Sequence, residues 1–261
     1  MATVVTWGKF DFANPPAWTT FLASPGTTSL QLYQSGMVQT FYGSFTYTGT
    51  TSNPQVHGTV NEIHLTVDGV GGYQISELSL DAAQLQKLVL TPNGGVQFLA
   101  YVLAGNDYIP GVGQGRAMGF AGNDTLGAVE FNGGSFDGGD GIDTFQAGVG
   151  VIADLSTGRV VDASNPQGGY LQLRSVENLQ GDQYDDTLSG NAGDNLLNGG
   201  LDNVGIDTVS YASAGVAVQV DLGAGTGRGA GNDTLLGFEN AVGGAGNDSL
   251  VGSSGANRLD G

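Results

Sequence analysis

The sequence predicts an all-β protein: a C-terminal parallel β-roll, a β-solenoid of stacked coils, preceded by a small β-rich N-terminal domain with one short helix. Three observations carry that prediction. Glycine is the commonest of the 261 residues, at 47, with no Gly-X-Y period, so many turns and close backbone approaches are required but collagen is excluded. After residue 99 the tetrapeptide Ala-Gly-Asn-Asp occurs four times, ending at Asp107, Asp124, Asp233 and Asp248. Each copy is followed two places later by an apolar residue: Ile109, Leu126, Leu235 and Leu250. Before residue 99 the texture is different, with polar and apolar residues alternating in runs rich in Thr, Tyr, Val and Phe.

Residues 1–98 read as the N-terminal domain, whose ligand the sequence leaves open. Its strands are expected at Gln39 to Thr48, Val60 to Val67 and Gly72 to Leu80. Turn signals at Thr50 to Pro54, Asp68-Gly69 and Gly71-Gly72 separate them. Asp81 to Leu90 reads as the helix, with Asp81 as N-cap and Leu85, Leu88 and Val89 on one face. Pro92 and Asn93-Gly94 end it, and the first 35 residues carry no clear pattern.

Residues 99–261 repeat at two levels. Weaker copies of the tetrapeptide pattern lie at Gly138 to Phe145, Asp185 to Leu188 and Gly205 to Val209; the fullest, Gly243 to Leu250, is G-G-x-G-x-D-x-U without a gap. Above this sits a duplication. Ser175 to Gly199 aligns without gaps to Gly237 to Gly261 at an offset of 62 residues, and Ile142-Asp143-Thr144 pairs with Ile206-Asp207-Thr208 at 64. Two copies of a unit of about sixty residues follow, at about 143–199 and 207–261. Irregular inserts are expected around Gly148 to Gln172 and Gly215 to Gly227, and Gly111 to Met118 has no aspartate.

In one nonapeptide, glycines at positions 1, 2 and 4 allow a tight turn, and positions 7 to 9 form a short strand with its central side chain inward. Two nonapeptides make a coil of about eighteen residues. Asp107 to Asp124 is 17 residues and Asp124 to Asp143 is 19, so these aspartates should stack on one side. Asp186 and Asn195, like Asp248 and Asn257, are nine apart and should lie on opposite sides. Stacked turns bring carboxylates and carbonyls together, a hard-oxygen environment that suits Ca²⁺ better than Mg²⁺. The formal charge of −18, from 25 acidic and 7 basic residues, then has a structural explanation, with the cation part of the core. Ordinary Asn/Asp-Gly turns are the plain alternative, which the period argues against.

These residues resemble the RTX nonapeptide-repeat family over about the last 160 residues. The resemblance implies a Ca²⁺-bound parallel β-roll and export through a type I channel, hence an extracellular or cell-surface location. Carried over by position, it implies carboxylate ligands at Asp107, Asp124, Asp143, Asp186, Asp207, Asp233 and Asp248. It also implies backbone oxygens of Ala104, Ala121, Asp140, Ala230 and Ala245 as ligands, with Asn195 and Asn257 as weaker amide-oxygen ligands. Leu171 stands at the position aligned with Asp233, so a site is expected to be missing there. Asp182 and Asp185 read as solvated acids, and the recurring Glu177-Asn178 and Glu239-Asn240 as backbone partners at the mouth of an insert.

The remaining features exclude more than they identify. With no cysteine, disulfides, thiolate metal sites and cysteine nucleophiles are all absent. Neither H-E-x-x-H nor G-x-S-x-G occurs, and no carboxylate pair stands out for acid–base work, so no enzyme is expected. So acidic a chain repels nucleic acid, no apolar run reaches membrane-span length, and the N-terminus lacks a signal-peptide pattern. The run Phe41 to Phe45 with Leu78 to Leu85 resembles secreted haemophores, which would implicate Tyr42, His57 or His64 in haem binding. The main expectation is a secreted calcium-binding structural or adhesive protein of a surface layer or matrix; the roll stops at Gly261 without a cap, which implies either head-to-tail association or, equally, a longer chain whose further part holds the cap and the secretion signal. The alternative is a calcium-binding accessory module of a secreted glycan-active or epimerase-like enzyme.

Overall fold

The computed structural model describes residues 3–6, 10–11, 21–22, 29–34, 37–50, 53–67, 70–89, 95–109, 115–131, 133–200 and 204–261. It is almost entirely β, with a parallel roll after residue 107. The N-terminal part is an antiparallel sheet of successive neighbours: Phe21–Leu22, Ser29–Gln34, Met37–Thr50, Asn53–Val67 and Val70–Ser76. The first two expected runs fall in its long strands, but the third leaves the sheet after Ser76, where Glu77 takes a positive φ of 62°, and Gly71-Gly72, expected as a turn, lies within Val70–Ser76 opposite a bulge at Leu65/Thr66. Alternation buries Phe41, Phe45, Val56, Val60, Ile63 and Ile75. Helix α1 spans Ala82–Val89, and Asp81 caps it by accepting the Gln84 N–H at 2.7 Å. Leu90, Pro92 and Asn93-Gly94 lie outside the described residues.

One helix was expected and the described residues hold two: α2 spans Gly95–Val102. The stretch GVQFLAYV, opening on glycine and carrying valines and aromatics, has the composition of a strand. Its Leu99, Val102 and Leu103 share a helical face, and their burial decides the matter.

In the roll, short strands alternate between two sheets. The front sheet stacks Tyr108–Ile109, Thr125–Ala128, Thr144–Ala147, Asn178–Gln180, Leu196–Asn198 and Asn232–Leu236 in parallel. The back sheet stacks Gly115–Met118, Ser135–Asp137 and Tyr170–Arg174, then, beyond an insert, Val151–Asp154, Thr187–Ser189, Thr208–Ser210, Asn240–Val242 and Arg258–Asp260. Register places one apolar column in each: Ile109, Leu126, Phe145, Leu179, Leu197 and Leu235 in front, and Ala117, Phe136 and Leu173 behind. All nine are at most 3% exposed. Burying one such Leu or Phe contributes about 1.5–3 kcal/mol.

The chain's own N-terminus joins the roll, which the sequence did not disclose. Thr3–Thr6 pairs in parallel with Tyr108–Ile109 and antiparallel with Val70–Ser76, and Phe10–Asp11 pairs in parallel with Gly115–Met118. The front sheet therefore runs on into the antiparallel sheet, 16 strands in all among the described residues. The front edge of the first coil, which a head-to-tail neighbour would need, is filled.

Each insert is an antiparallel three-strand meander that widens one sheet. The first, Val151–Asp154, Arg159–Asp162 and Tyr170–Arg174, lies in the back sheet; the second, Gln219–Asp221, Thr226–Arg228 and Asn232–Leu236, lies in front. The duplicated units thus sit on opposite faces. Asn178–Gln180 is in front and its aligned partner Asn240–Val242 behind, while Thr187–Ser189 is behind and Ser249–Val251 in front. From Thr144–Ala147 to its partner Thr208–Ser210 the chain changes sheet five times, counting the first meander as one back-sheet segment, and an odd number turns the unit over.

Candidate metal centre

Two ladders of carboxylates run along the turns, one on each side of the roll. On one side the Asp107 N–H donates to Asp124 Oδ1 (2.8 Å), the Asp124 N–H to Asp143 Oδ1 (2.7 Å), and the Asp143 N–H to Glu177 Oε2 (2.8 Å). On the other, the Val151 N–H donates to Asp186 Oδ1 (2.7 Å), the Asp186 N–H to Asp207 Oδ1 (2.9 Å), and the Asp207 N–H to Glu239 Oε2 (2.9 Å). The carbonyls of Asp107, Asp124, Asp186 and Asp207 accept N–H groups of the following coil, from Thr125, Thr144, Thr208 and Asn240. Each aspartate is therefore clamped twice to the next coil. The expected stacking of Asp107, Asp124 and Asp143, and the opposite placement of Asp186 and Asn195, match this geometry.

Glu177 and Glu239 occupy the rung below an aspartate, where no G-x-G turn precedes them and a longer side chain spans the gap. Their neighbours continue the connection outward, Asn178 Oδ1 accepting the Leu196 N–H and Asn240 Oδ1 the Arg258 N–H, both at 2.9 Å. The asparagine of the tetrapeptide has a related role that sequence reasoning missed. Asn106 Oδ1 accepts the Asn123 N–H at 2.8 Å and Asn123 Oδ1 the Ile142 N–H at 3.0 Å. This outer ladder reaches toward the following coil while the carboxylate ladder reaches back to the preceding one, so adjacent coils are held from both directions. The only sequence signal was the recurrence of Asn before Asp.

Asp107, Asp124, Asp143, Asp186, Asp207 and Asp233 are all at most 5% exposed. Burial, partly offset by the Asp107 N–H, pushes the Asp124 carboxyl up to about 7, with the charges of Asp143 and Asp107 adding to it. Burial also raises Asp207 to about 7 and Asp186 to about 6, and raises Asp143. The second oxygens of Asp124 and Asp143 are buried and accept no hydrogen bond. The first glycine of each turn makes room for them: a Cβ on Gly119 would collide with Asp124 Oδ2 and the Gly138 carbonyl, and one on Gly138 with Asp143 Oδ2 and the Ser175 carbonyl. A buried anionic oxygen without a donor, beside a carbonyl of the next coil, fits a hard cation. Among the described residues no three His, Asp or Glu side chains converge, so backbone oxygens must complete any ligand set. Calcium bound here would supply the positive charge that the stacked carboxylates lack.

The other candidates divide. Asp248, half-buried, accepts N–H groups from Val218 (2.9 Å) and Gly244 (2.8 Å). The Asp140 carbonyl is used between coils, accepting the Gly122 N–H at 2.8 Å, and Ala121 forms a bridge to Asp140. Ala104, Ala121, Ala230 and Ala245 all lie in the turns just before their aspartates. Asn195 and Asn257 are engaged differently from the expected oxygen ligands. Their side-chain N–H groups donate to the carbonyls of Glu177 (2.7 Å) and Glu239 (2.9 Å), bridging coils without an ion. Asp233 has both oxygens occupied, one by the Asn195 N–H (3.0 Å) and one by the Tyr211 hydroxyl (2.6 Å). Leu171, aligned with it, is fully buried.

Of the haem candidates, Tyr42 and His64 lie edge to face at 4.9 Å, but His57 lies seven residues along the same strand from His64. His64 Nε2 is 2.8 Å from Glu62 Oε1, which also accepts from Gln74. That group is a polar network on the sheet surface.

Substitution should separate ladder from surface acids. Asp248→Ala strips two backbone N–H groups of their acceptor and is expected to cost about 1–3 kcal/mol and to raise the calcium midpoint. Asp182, half-buried, accepts only the Tyr184 N–H within its own turn, and Asp182→Ala should leave the midpoint near wild type. Equal midpoints in calcium titrations of the two variants would show the register to be wrong.

The RTX calcium-binding nonapeptide repeat matches the chain in four copies, over residues 175–204 and 236–261. No curated protein matches it. The turns at Asp107, Asp124 and Asp143 lie outside the matched residues and repeat the hydrogen bonding found between Asp186 and Asp207 inside them.

Proposed function

From the RTX calcium-binding repeats in its C-terminal part, we propose that this is an extracellular, calcium-dependent structural or adhesive protein rather than an enzyme. The observation that carries the proposal is the pair of buried carboxylate ladders, with orphaned oxygens at Asp124 and Asp143. Calcium makes the roll rigid where the ion is abundant and leaves it unfolded where it is scarce, which suits a chain exported unfolded through a type I channel. The lack of cysteine agrees with that route.

Assembly with further copies is the second part of the proposal. The first coil's front edge is taken by Thr3–Thr6, so the contact is assigned to the flank of the roll rather than its end. Tyr184 (53% exposed) and Val204 (72%) line one hollow beside the turn that carries Asp185, and offer exposed apolar surface there. Light scattering in millimolar calcium is expected to show species larger than the 26.5 kDa monomer. A stable monomer at high concentration would overturn the assembly, and turnover of a glycan would overturn the non-enzymatic reading in favour of an accessory module.

A further inference from the structure

The third Ala-Gly-Asn-Asp position does not look like the others. Asp233 is 4% exposed, as buried as the ladder aspartates, yet neither of its oxygens is free. The Asn195 N–H reaches one at 3.0 Å and the Tyr211 hydroxyl donates to the other at 2.6 Å. Asp124 and Asp143 keep the equivalent second oxygen unpartnered. Tyr211 is itself 3% exposed, and its hydroxyl reaches Asp233 only because residue 227 is glycine: a Cβ there would collide with the tyrosine oxygen. Gly227 is the cross-strand partner of Asp233.

The first copy of the duplicated unit shows the same three positions filled another way. Leu171 aligns with Asp233, its cross-strand partner is Val160 where Asp233 has Gly227, and Ala147 aligns with Tyr211. All three are buried: Ala147 4%, Val160 0% and Leu171 0% exposed. Between the copies, Ala, Val and Leu become Tyr, Gly and Asp. The ring added at 211 is offset by the side chain removed at 227, and the carboxylate at 233 receives its donor from that ring. These are compensating changes at one packing site, in a core too dense to accept any of them singly.

We propose that Asp233, despite its motif, does not bind calcium: the Tyr211 hydroxyl stands where the ion would, and Tyr211, Gly227 and Asp233 form a metal-free lock in the second insert. The proposal rests on the calcium-binding reading of the other turns. What sets Asp233 apart is the kind of partner: the second oxygens of Asp186 and Asp248 take a backbone N–H of their own turn, from Asp182 (2.9 Å) and Gly244 (2.8 Å), whereas that of Asp233 takes a buried side-chain hydroxyl from another segment. The hydroxyl offers one donor of fixed length to one oxygen, whereas a calcium ion would require several further oxygens around the same point.

The test uses the full chain and counts bound calcium by isothermal titration, alongside melting in saturating calcium. Asp233→Leu combined with Gly227→Val and Tyr211→Ala installs the first copy's residues. It is expected to fold and to bind the same number of ions at the same midpoint as wild type. Tyr211→Phe leaves a buried carboxylate oxygen unpaired and should lower the melting temperature by about 3–8 °C at unchanged stoichiometry. Asp124→Asn should lose calcium. Loss of one ion in the triple variant, or in Asp233→Asn as a second probe should the triple variant fail to fold, would overturn the lock. If wild type binds no calcium, the functional reading fails instead.

Discussion

Stripping calcium from this protein at pH 7.5 is expected to remove most of the β signal contributed by the roll, and restoring millimolar calcium should bring it back. The reason is local. The ladder brings Asp107, Asp124 and Asp143 into successive contact on one side and Asp186 and Asp207 on the other, each buried and each carboxylate one coil from the next. Hydrogen bonds from backbone N–H groups offset only part of the cost of burying that charge, and a cation must supply the rest. Binding free energy is here folding free energy. Affinity should fall in the range of extracellular modules, on the order of 10⁻⁴ to 10⁻³ M per site. Circular dichroism through a chelation and recalcification cycle is the measurement; a β signal indifferent to chelator would refute a calcium-held roll.

Acid should substitute in part for the missing ion. In the metal-free chain the folded-state pKa values of Asp124 and Asp207 stand at about 7 and that of Asp186 at about 6, burial being the main cause, against about 3.9 when unfolded. Because the folded value is the higher one, the folded state binds protons more tightly. The stabilisation is complete below the unfolded value and is lost as the pH rises through 6 to 7. Protein stripped of calcium at pH 8, desalted and brought to pH 5 is therefore expected to regain roll structure and to lose it again at pH 8. Calcium added near pH 6.5 should release protons, measurable as buffer-dependent heats. Metal-free protein less structured at pH 5 than at pH 8, in dilute solution to avoid precipitation near its pI of 4.1, would contradict the assignment of these burials.

What could be read from the sequence was whatever one nonapeptide determines by itself. The spacing of Gly, Asp and the inward apolar residue dictates a turn and a three-residue strand, and residue count modulo a coil dictates the side. Asp107, Asp124 and Asp143 are aligned for that reason, Asn195 lies opposite Asp186, and Ile109, Leu126 and Leu235 stand in one column. The duplication, too, was legible as a 62-residue offset.

Only the tertiary structure decided what depends on pairing between distant segments. Thr3–Thr6 could pair anywhere until the first coil offered an unpaired edge beside Val70–Ser76. Residues Gly95–Val102 have the composition of a strand, and burial of Leu99 and Val102, with Leu103 just beyond, made them a helix. The two inserts share a topology but lie on opposite faces, because an odd number of sheet changes separates them. At Asp233 the local motif is intact, yet a tyrosine 22 residues earlier reaches the carboxylate and takes the place a cation would have. A motif specifies which atoms are offered; which partner meets them depends on the packing of chain that the motif does not contain.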